Sequence, residues 1–224
     1  MTPTCLEEAR SLERTHAITR SIARNCLFAR AERIAAAMAL IFLSPVLIVI
    51  AITILALSRR NPLIRHNRVG WRGRPLAMLK FRTMWDPAIV SPRRFAIESV
   101  SGFVPVSKLA FDDRVKSHFA AFCRRHSLDE LPQLYHVMRG EMSLVGPRPI
   151  TQEEIHDYYG ESSDEILAMR PGLTGLWQIR GRSRLSYERR RRLDLLLVRR
   201  ASAGLYLAIL LRSIPGVITG RDAC

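Results

Sequence analysis

SLDELPQLYHVMRG, residues 127–140, sets how the rest of the chain reads. Apolar Leu131, Leu134, Tyr135 and Met138 recur at helical spacing, and Gly140 stands where a helix would stop. The adjacent acids Asp129 and Glu130 therefore fall at the start of a helix. Pro132 agrees, because a proline lacks the N–H that is unused in a first turn and costs about 3 kcal/mol deeper in a helix. A helix start keeps carboxylates ionised and also draws in phosphate, so one small volume can hold a nucleophile, a divalent cation and a phosphorylated substrate. A plainer reading stands beside it: Ser127 and Glu130 fit the S-x-x-E capping box, with a purely structural role.

Working outward, MSLVGPRPI follows, in which Pro147 and Pro149 fix the backbone on either side of Arg148. A guanidinium presented this stiffly suits bidentate phosphate binding, although turns use the same residues. RPGLTGLWQIRGRS (residues 170–183) offers Gly172, Gly175 and Gly181 for close backbone approach, Trp177 and Gln178 as ligand contacts, and Arg180 and Arg182 as charge. It reads as a nucleotide-binding loop or as a glycine turn packed by a core tryptophan. On the N-terminal side, two extended runs between Asn61 and Met84 are interrupted by Gly70 and Gly73-Arg74-Pro75, the pattern of a β-hairpin. Its second run puts Lys80, Arg82 and Met84 on one face, either a phosphate contact or a solvated basic edge. Asp86 to Leu109 is loop-like and punctuated by prolines, either a mobile active-site loop or a connector, and Asp112 and Asp113 either assist at the site or are turn acids.

The chain of 224 residues carries a formal charge of +15, which calls for an anionic partner. Cys5, Cys26, Cys123 and Cys224 are too scattered for a disulfide framework or a zinc site. Ala35 to Leu57 contains no charged residue and exceeds the roughly 20 residues that cross a bilayer core. More than thirty residues precede this run, so it is not a secretory signal. Ser44-Pro45 lies near its middle, where proline frees a carbonyl that the serine hydroxyl can bond. Arginines flank both ends, and by the positive-inside rule both ends prefer the cytoplasm, as in a bent re-entrant helix; the alternative is a kinked spanning helix. From Leu185 to Ile218 arginine clusters alternate with leucine-rich blocks, the pattern of helices lying on an anionic membrane. Nucleic acid is disfavoured, because the apolar neighbours are aliphatic rather than interleaved aromatics. The chain thus reads as α+β and membrane-associated: mostly helical with a small β-hairpin, an N-terminal arm over 1–33, a membrane helix over 34–58 and a catalytic domain over 59–224.

KFRTM, SLDELPQL, MSLVGPRP and RPGLTGLWQIRGRS, in this order behind a Ser-Pro membrane helix, resemble the bacterial sugar transferase family in its short, monotopic form. The resemblance covers the chain from about Ile34 onward. It implies transfer of a hexose-1-phosphate from a UDP-sugar to a polyprenyl phosphate such as undecaprenyl phosphate, with release of UMP, to begin exopolysaccharide or glycoconjugate synthesis. It also implies a re-entrant helix broken at Ser44-Pro45 and a bacterial inner-membrane location with the catalytic domain on the cytoplasmic face. Asp129 is then the nucleophile and Glu130 its partner, both holding Mg2+. Lys80, Arg82, Arg148, Gln178 and Arg182 are the phosphate- or substrate-binding candidates. His66, Tyr135-His136 and Arg180 depart from the family's common residues, and Arg180 bears on donor choice. The sugar and homodimerisation stay open. A basic membrane adaptor, or a nucleotide-sugar hydrolase using the same acids, are the rival functions.

Overall fold

The computed structural model describes residues 3–84, 117–181 and 185–219, with side chains from Leu27 onward. Arg182, Asp112, Asp113 and the Asp86 to Leu109 connector lie outside the described residues. One helix, α1 (Pro3–Ser58), runs unbroken through both the arm and the apolar segment. Its Leu27–Ser58 part is long and apolar enough, by length and composition, to cross a membrane. At Ser44-Pro45 the local chemistry is the expected one: Pro45 cannot donate to the Ile41 carbonyl, and Ser44 Oγ donates to it instead at 2.7 Å.

The strands β1 (Leu63–Val69) and β2 (Pro75–Phe81) pair antiparallel, with Leu63 opposite Phe81 and Arg68 opposite Leu76. This is the hairpin expected from the glycines, its turn tightened by positive φ at Arg72 and Gly73. A helix α2 (His118–Arg125), capped by Ser117, leads to a 3-10 turn (Leu128–Gln133) and α3 (Leu134–Arg139), which stops at left-handed Gly140. Then come β3 (Ser143–Val145), α4 (Gln152–Glu154) continuing as a π-helical turn over Ile155–Tyr159, α5 (Ser162–Leu167), β4 (Gly172–Thr174) and α6 (Leu176–Ile179). The last elements are α7 (Tyr187–Arg199) and α8 (Ala203–Thr219). β3 and β4 form a second, parallel two-stranded sheet that no sequence pattern announced.

Two of the apolar cores include α1. Ala36 packs with Leu76, Met78, Leu134, Val137 and Met142, and Ile50 and Ile54 pack with Phe81 and Cys123. Eighteen residues of helix separate Ala36 from Ile54, about 27 Å at 1.5 Å per residue, and both ends of that span rest on the same body. Glu32 extends the contact at the N-terminal side. Its carboxylate, on a residue only 8% exposed, accepts from Ser143 Oγ at 2.7 Å, from Tyr206 OH at 2.5 Å and from the Leu144 N–H. Arg33 Nε donates to the Met138 carbonyl at 2.9 Å. The opposite face of α1 leaves Met38, Ile41, Phe42, Ile48, Val49 and Ile52 exposed. On α8, Leu207, Leu211, Ile214 and Ile218 are exposed in the same way.

The arginines of α7 depart from the expectation of a membrane-facing cluster, because the protein itself uses several of them. Arg190 is 5% exposed, Arg191 donates to the Tyr158 carbonyl, and Arg199 grips both oxygens of Glu165 at 2.7 and 2.8 Å.

Candidate active site

Asp129 and Glu130 lie in the 3-10 turn rather than in an α-helix, which bears on the capping reading of SLDE. Ser127 takes left-handed φ of 55° and makes no capping bond with its side chain. Glu130 turns instead to Lys80, with Nζ to Oε1 at 2.7 Å. The Ser127 half of the expected capping box is therefore not formed. Lys80 reaches the acids because β2 packs on the turn, and that packing is pinned by a residue that the sequence marked only as a departure from the family's common residues. Buried His136 on α3 accepts the Leu79 N–H at Nε2 (3.2 Å), so its Nδ1 carries the proton and donates to Glu141 at 2.6 Å. A backbone donor of β2 is satisfied, and the strand that bears Lys80 is clamped to the helix that follows the acids.

Part of Asp129 reaches solvent, yet its surroundings are dense protein. Desolvation raises its pKa to about 6, the Glu130 charge adds to the rise, and Lys80 and Arg124 oppose it. At neutral pH such a carboxylate is still mostly ionised, while being more basic than an ordinary aspartate. Arg124, at the end of α2, was not singled out by sequence reasoning. Cys123 beside it is buried, and burial with the Asp129 charge pushes its thiol up to about 11, which makes it an inert core residue.

Arg148 occupies a second cluster. Its guanidinium carbon lies 5.3 Å from the centre of the Trp177 ring, and that of Arg190 lies 5.2 Å from the same ring. Arg68 on β1 joins them, paired with Glu154 at 3.5 Å. Gln178 follows Trp177 on α6, its Oε1 buried without a hydrogen-bond partner. Arg82 stands just past β2, and its Nε donates to the Asn61 carbonyl at 2.8 Å, so it braces the mouth of the hairpin. Of the glycines expected to admit a ligand, Gly172 and Gly175 admit backbone instead, while Gly181 faces the Leu185 side chain. A Cβ on Gly172 would sit 2.0 Å from Gly146 N, and one on Gly146 would sit 2.3 Å from the Arg170 carbonyl oxygen. They let β3 and β4 approach closely enough to carry Arg148 and Trp177 side by side.

Mg2+ takes oxygen ligands, commonly one or two carboxylates completed by water and phosphate oxygens, and the Asp129-Glu130 pair fits that donor set. Among the described residues no cluster of three or more His, Cys, Asp or Glu offers an all-protein cage.

Residues 24–220 match the family model described as bacterial sugar transferase. The chain belongs to this family. It is 40% identical over 182 residues to a UDP-galactose-lipid carrier transferase of Erwinia amylovora, covering 78% of this chain and 37% of that protein. It is 37% identical over 193 residues to the exopolysaccharide production protein ExoY of Rhizobium meliloti, covering 85% of this chain and 84% of that protein. An undecaprenyl-phosphate galactose phosphotransferase of Salmonella typhimurium is 36% identical over 165 residues, 70% of this chain and 33% of that protein. The chain therefore spans about a third of the two longer relatives and most of the shorter one.

Proposed function

We propose that this family member moves a hexose-1-phosphate from a UDP-sugar to a polyprenyl phosphate and releases UMP, through a phosphosugar carried covalently on Asp129. The observation that supports this most directly is the acid pair at the body that α1 packs against, with Lys80 on Glu130 and with Asp129 poised at a pKa of about 6 between Lys80 and Arg124.

An Asp129 oxygen attacks the β-phosphorus of the donor; that P–O bond forms as the bond from the β-phosphorus to the bridging oxygen breaks, and the electron pair leaves with UMP. Lys80 and Arg124 hold the approaching diphosphate against the repulsion of the two acids. Polyprenyl phosphate then attacks the same phosphorus, and the acyl-phosphate bond breaks to restore the Asp129 carboxylate. Arg148, Gln178, Arg82 and Arg182 are the further substrate-binding candidates. Mg2+, held by Asp129 and Glu130, would neutralise diphosphate charge when bound.

The placement in the membrane that we propose is supported by α1. Its exposed apolar face is suited to lipid, while Glu32 and Ile54, near either end of the apolar stretch, hold the helix to one body; although the helix is continuous through Ser44-Pro45, we read that stretch as re-entrant, with both its flanks in the cytoplasm of a bacterial inner membrane. An acceptor whose phosphate stays among headgroups then meets Asp129 at the bilayer surface.

The test is UMP release by the full chain in detergent with Mg2+ and a panel of UDP-sugars. Release of at most one equivalent without acceptor, and continuous release with polyprenyl phosphate, is the expected result. Continuous release without acceptor would make the chain a hydrolase, and no release from any donor would favour a membrane adaptor.

A further inference from the structure

Arg68, Arg148 and Arg190 come from three distant parts of the chain: Arg148 and Arg190 meet over one tryptophan, and the Val69–Ile150 bridge brings Arg68 within electrostatic reach of Arg148. Trp177 is 4% exposed and has Arg148 and Arg190 over its ring, while Arg190 also covers Tyr187 at 5.0 Å. Rings that hold guanidinium planes leave their N–H edges for another acceptor. Arg68 reaches Glu154 at 3.5 Å through Nη1, but its Nε is buried without a hydrogen bond, as is the indole N–H of Trp177.

The charge balance of this volume is positive. Against three guanidiniums stand Glu154, already paired with Arg68, Glu153, which also acts on Arg68, and fully buried Asp194, whose carboxyl is pushed up to about 8 by burial in spite of Arg148, Tyr159 and Arg190. Burial thus disfavours the charged form of Asp194 and weakens its offset of the guanidiniums. Burial and the neighbouring Arg148 each depress the basicity of both Arg68 and Arg190, the signature of cations crowded together. An anion with two negative charges and several acceptor oxygens would relieve this crowding.

Arg68 also ties the cluster to the acids. Lys80 pairs with Ile64 across the hairpin, and His66 and Arg68 follow on the same face of β1. His66 has its basicity lowered by burial and then by Lys80 and Arg68, which places it between the two cations. Four residues of strand correspond to about 13 Å, so one face of the hairpin runs from the catalytic acids to the arginines.

We propose that Arg68, Arg148 and Arg190 form a single phosphate-binding cradle on Trp177, with Arg68 and Arg190 as substrate-binding residues beside Arg148. This rests on the transferase reading for the identity of the substrate but not for the anion. The phosphoryl group belongs either to the UDP-sugar donor or to the polyprenyl phosphate acceptor.

Binding of inorganic pyrophosphate, UDP and a short-chain polyprenyl phosphate to the full chain in detergent, without Mg2+, tests the cradle independently of turnover. Arg68→Gln and Arg190→Gln should each weaken pyrophosphate binding by about tenfold or more, the loss expected for a charge-assisted contact. Arg192→Gln, on the outer side of α7 where Arg192 pairs with Glu188, should bind as the unmodified protein does. Weaker UDP binding with unchanged polyprenyl phosphate binding assigns the cradle to the donor, and the opposite pattern assigns it to the acceptor. Arg190 is buried, so melting temperatures accompany each titration; if Arg190→Gln does not fold, the part-exposed Arg68→Gln decides. A folded Arg68→Gln that binds all three probes like the unmodified protein overturns the proposal. Weakened pyrophosphate binding in a chain that releases no UMP from any donor would keep the cradle and remove the transferase reading.

Discussion

Replacing Glu32 by Ala removes a carboxylate through which α1 grips β3 and α8 together. The structure gives the size of the effect. Three donors lose their acceptor: Ser143 Oγ, the Leu144 N–H and Tyr206 OH. A buried donor left unsatisfied costs about 1–3 kcal/mol, and Tyr206, half-buried, recovers part of its loss from solvent, so the total comes to about 3–5 kcal/mol. For a chain of this length each kcal/mol moves the melting temperature by about 2–4 °C, giving a fall of about 6–20 °C. Tyr206→Phe removes one bond to a charged acceptor and should cost about 1.5–3 kcal/mol. In a double-mutant cycle, measured by thermal unfolding of the full chain in lipid nanodiscs, the combined variant should cost less than the sum of the two. Because β3 leads into Gly146-Pro147-Arg148, Glu32→Ala should also weaken pyrophosphate binding. Additive losses, or a Glu32→Ala protein that melts with the unmodified one, would refute the idea that α1 is an integral part of the catalytic body.

Asp194 has a folded pKa raised above its unfolded value, so the folded state holds the extra proton; stability is greatest at low pH and falls as pH rises toward about 8. Asn mimics the neutral acid, so Asp194→Asn should match the unmodified protein near pH 4 and gain on it by at most about 1.4 kcal/mol per pH unit above that; parallel stability profiles would contradict this. Gly172→Ala drives a Cβ to 2.0 Å from Gly146 N and 2.5 Å from the Thr174 carbonyl oxygen, and should cost about 3 kcal/mol or more in thermal unfolding. Gly204→Ala, with open space around it, should not. Pro45→Ala restores the helical N–H to Ile41 and should favour a spanning topology, seen as periplasmic labelling of a cysteine placed near the N-terminus; labelling that stays cytoplasmic would show that the proline does not set the topology.

Local signals were legible because they act over a few residues. Gly140 ends α3 with left-handed φ, the glycines around residues 70–75 make the hairpin turn, and Ser44 bonds the carbonyl that Pro45 frees. SLDE misleads at the same range: the turn is 3-10, Ser127 goes left-handed, and Glu130 prefers a lysine fifty residues away. The rest depends on tertiary packing. Arg68 reads as a flank of the membrane helix and Arg190 as part of a membrane-facing cluster until β1 and α7 bring them beside Arg148, and strands of three residues such as β3 and β4 carry too little alternation to be seen. Gly172 and Gly175 were noticed for the right property, close approach, with the wrong partner. Glu32, at the edge of an apolar run, carried a usable signal, since an acid placed there needs buried donors to justify it.

The central claim is that Asp129 carries the sugar phosphate, and the mass of the intact protein tests it most directly. After incubation with a UDP-sugar and Mg2+ in the absence of polyprenyl phosphate, the unmodified chain should gain the mass of one hexose phosphate and release one equivalent of UMP. The adduct should be labile, as acyl phosphates are, and should vanish when acceptor is added. Asp129→Asn keeps the size of the side chain but loses the attacking anion, and should show neither adduct nor burst. An adduct that forms normally in Asp129→Asn, or one abolished by Glu130→Gln alone, would contradict the account.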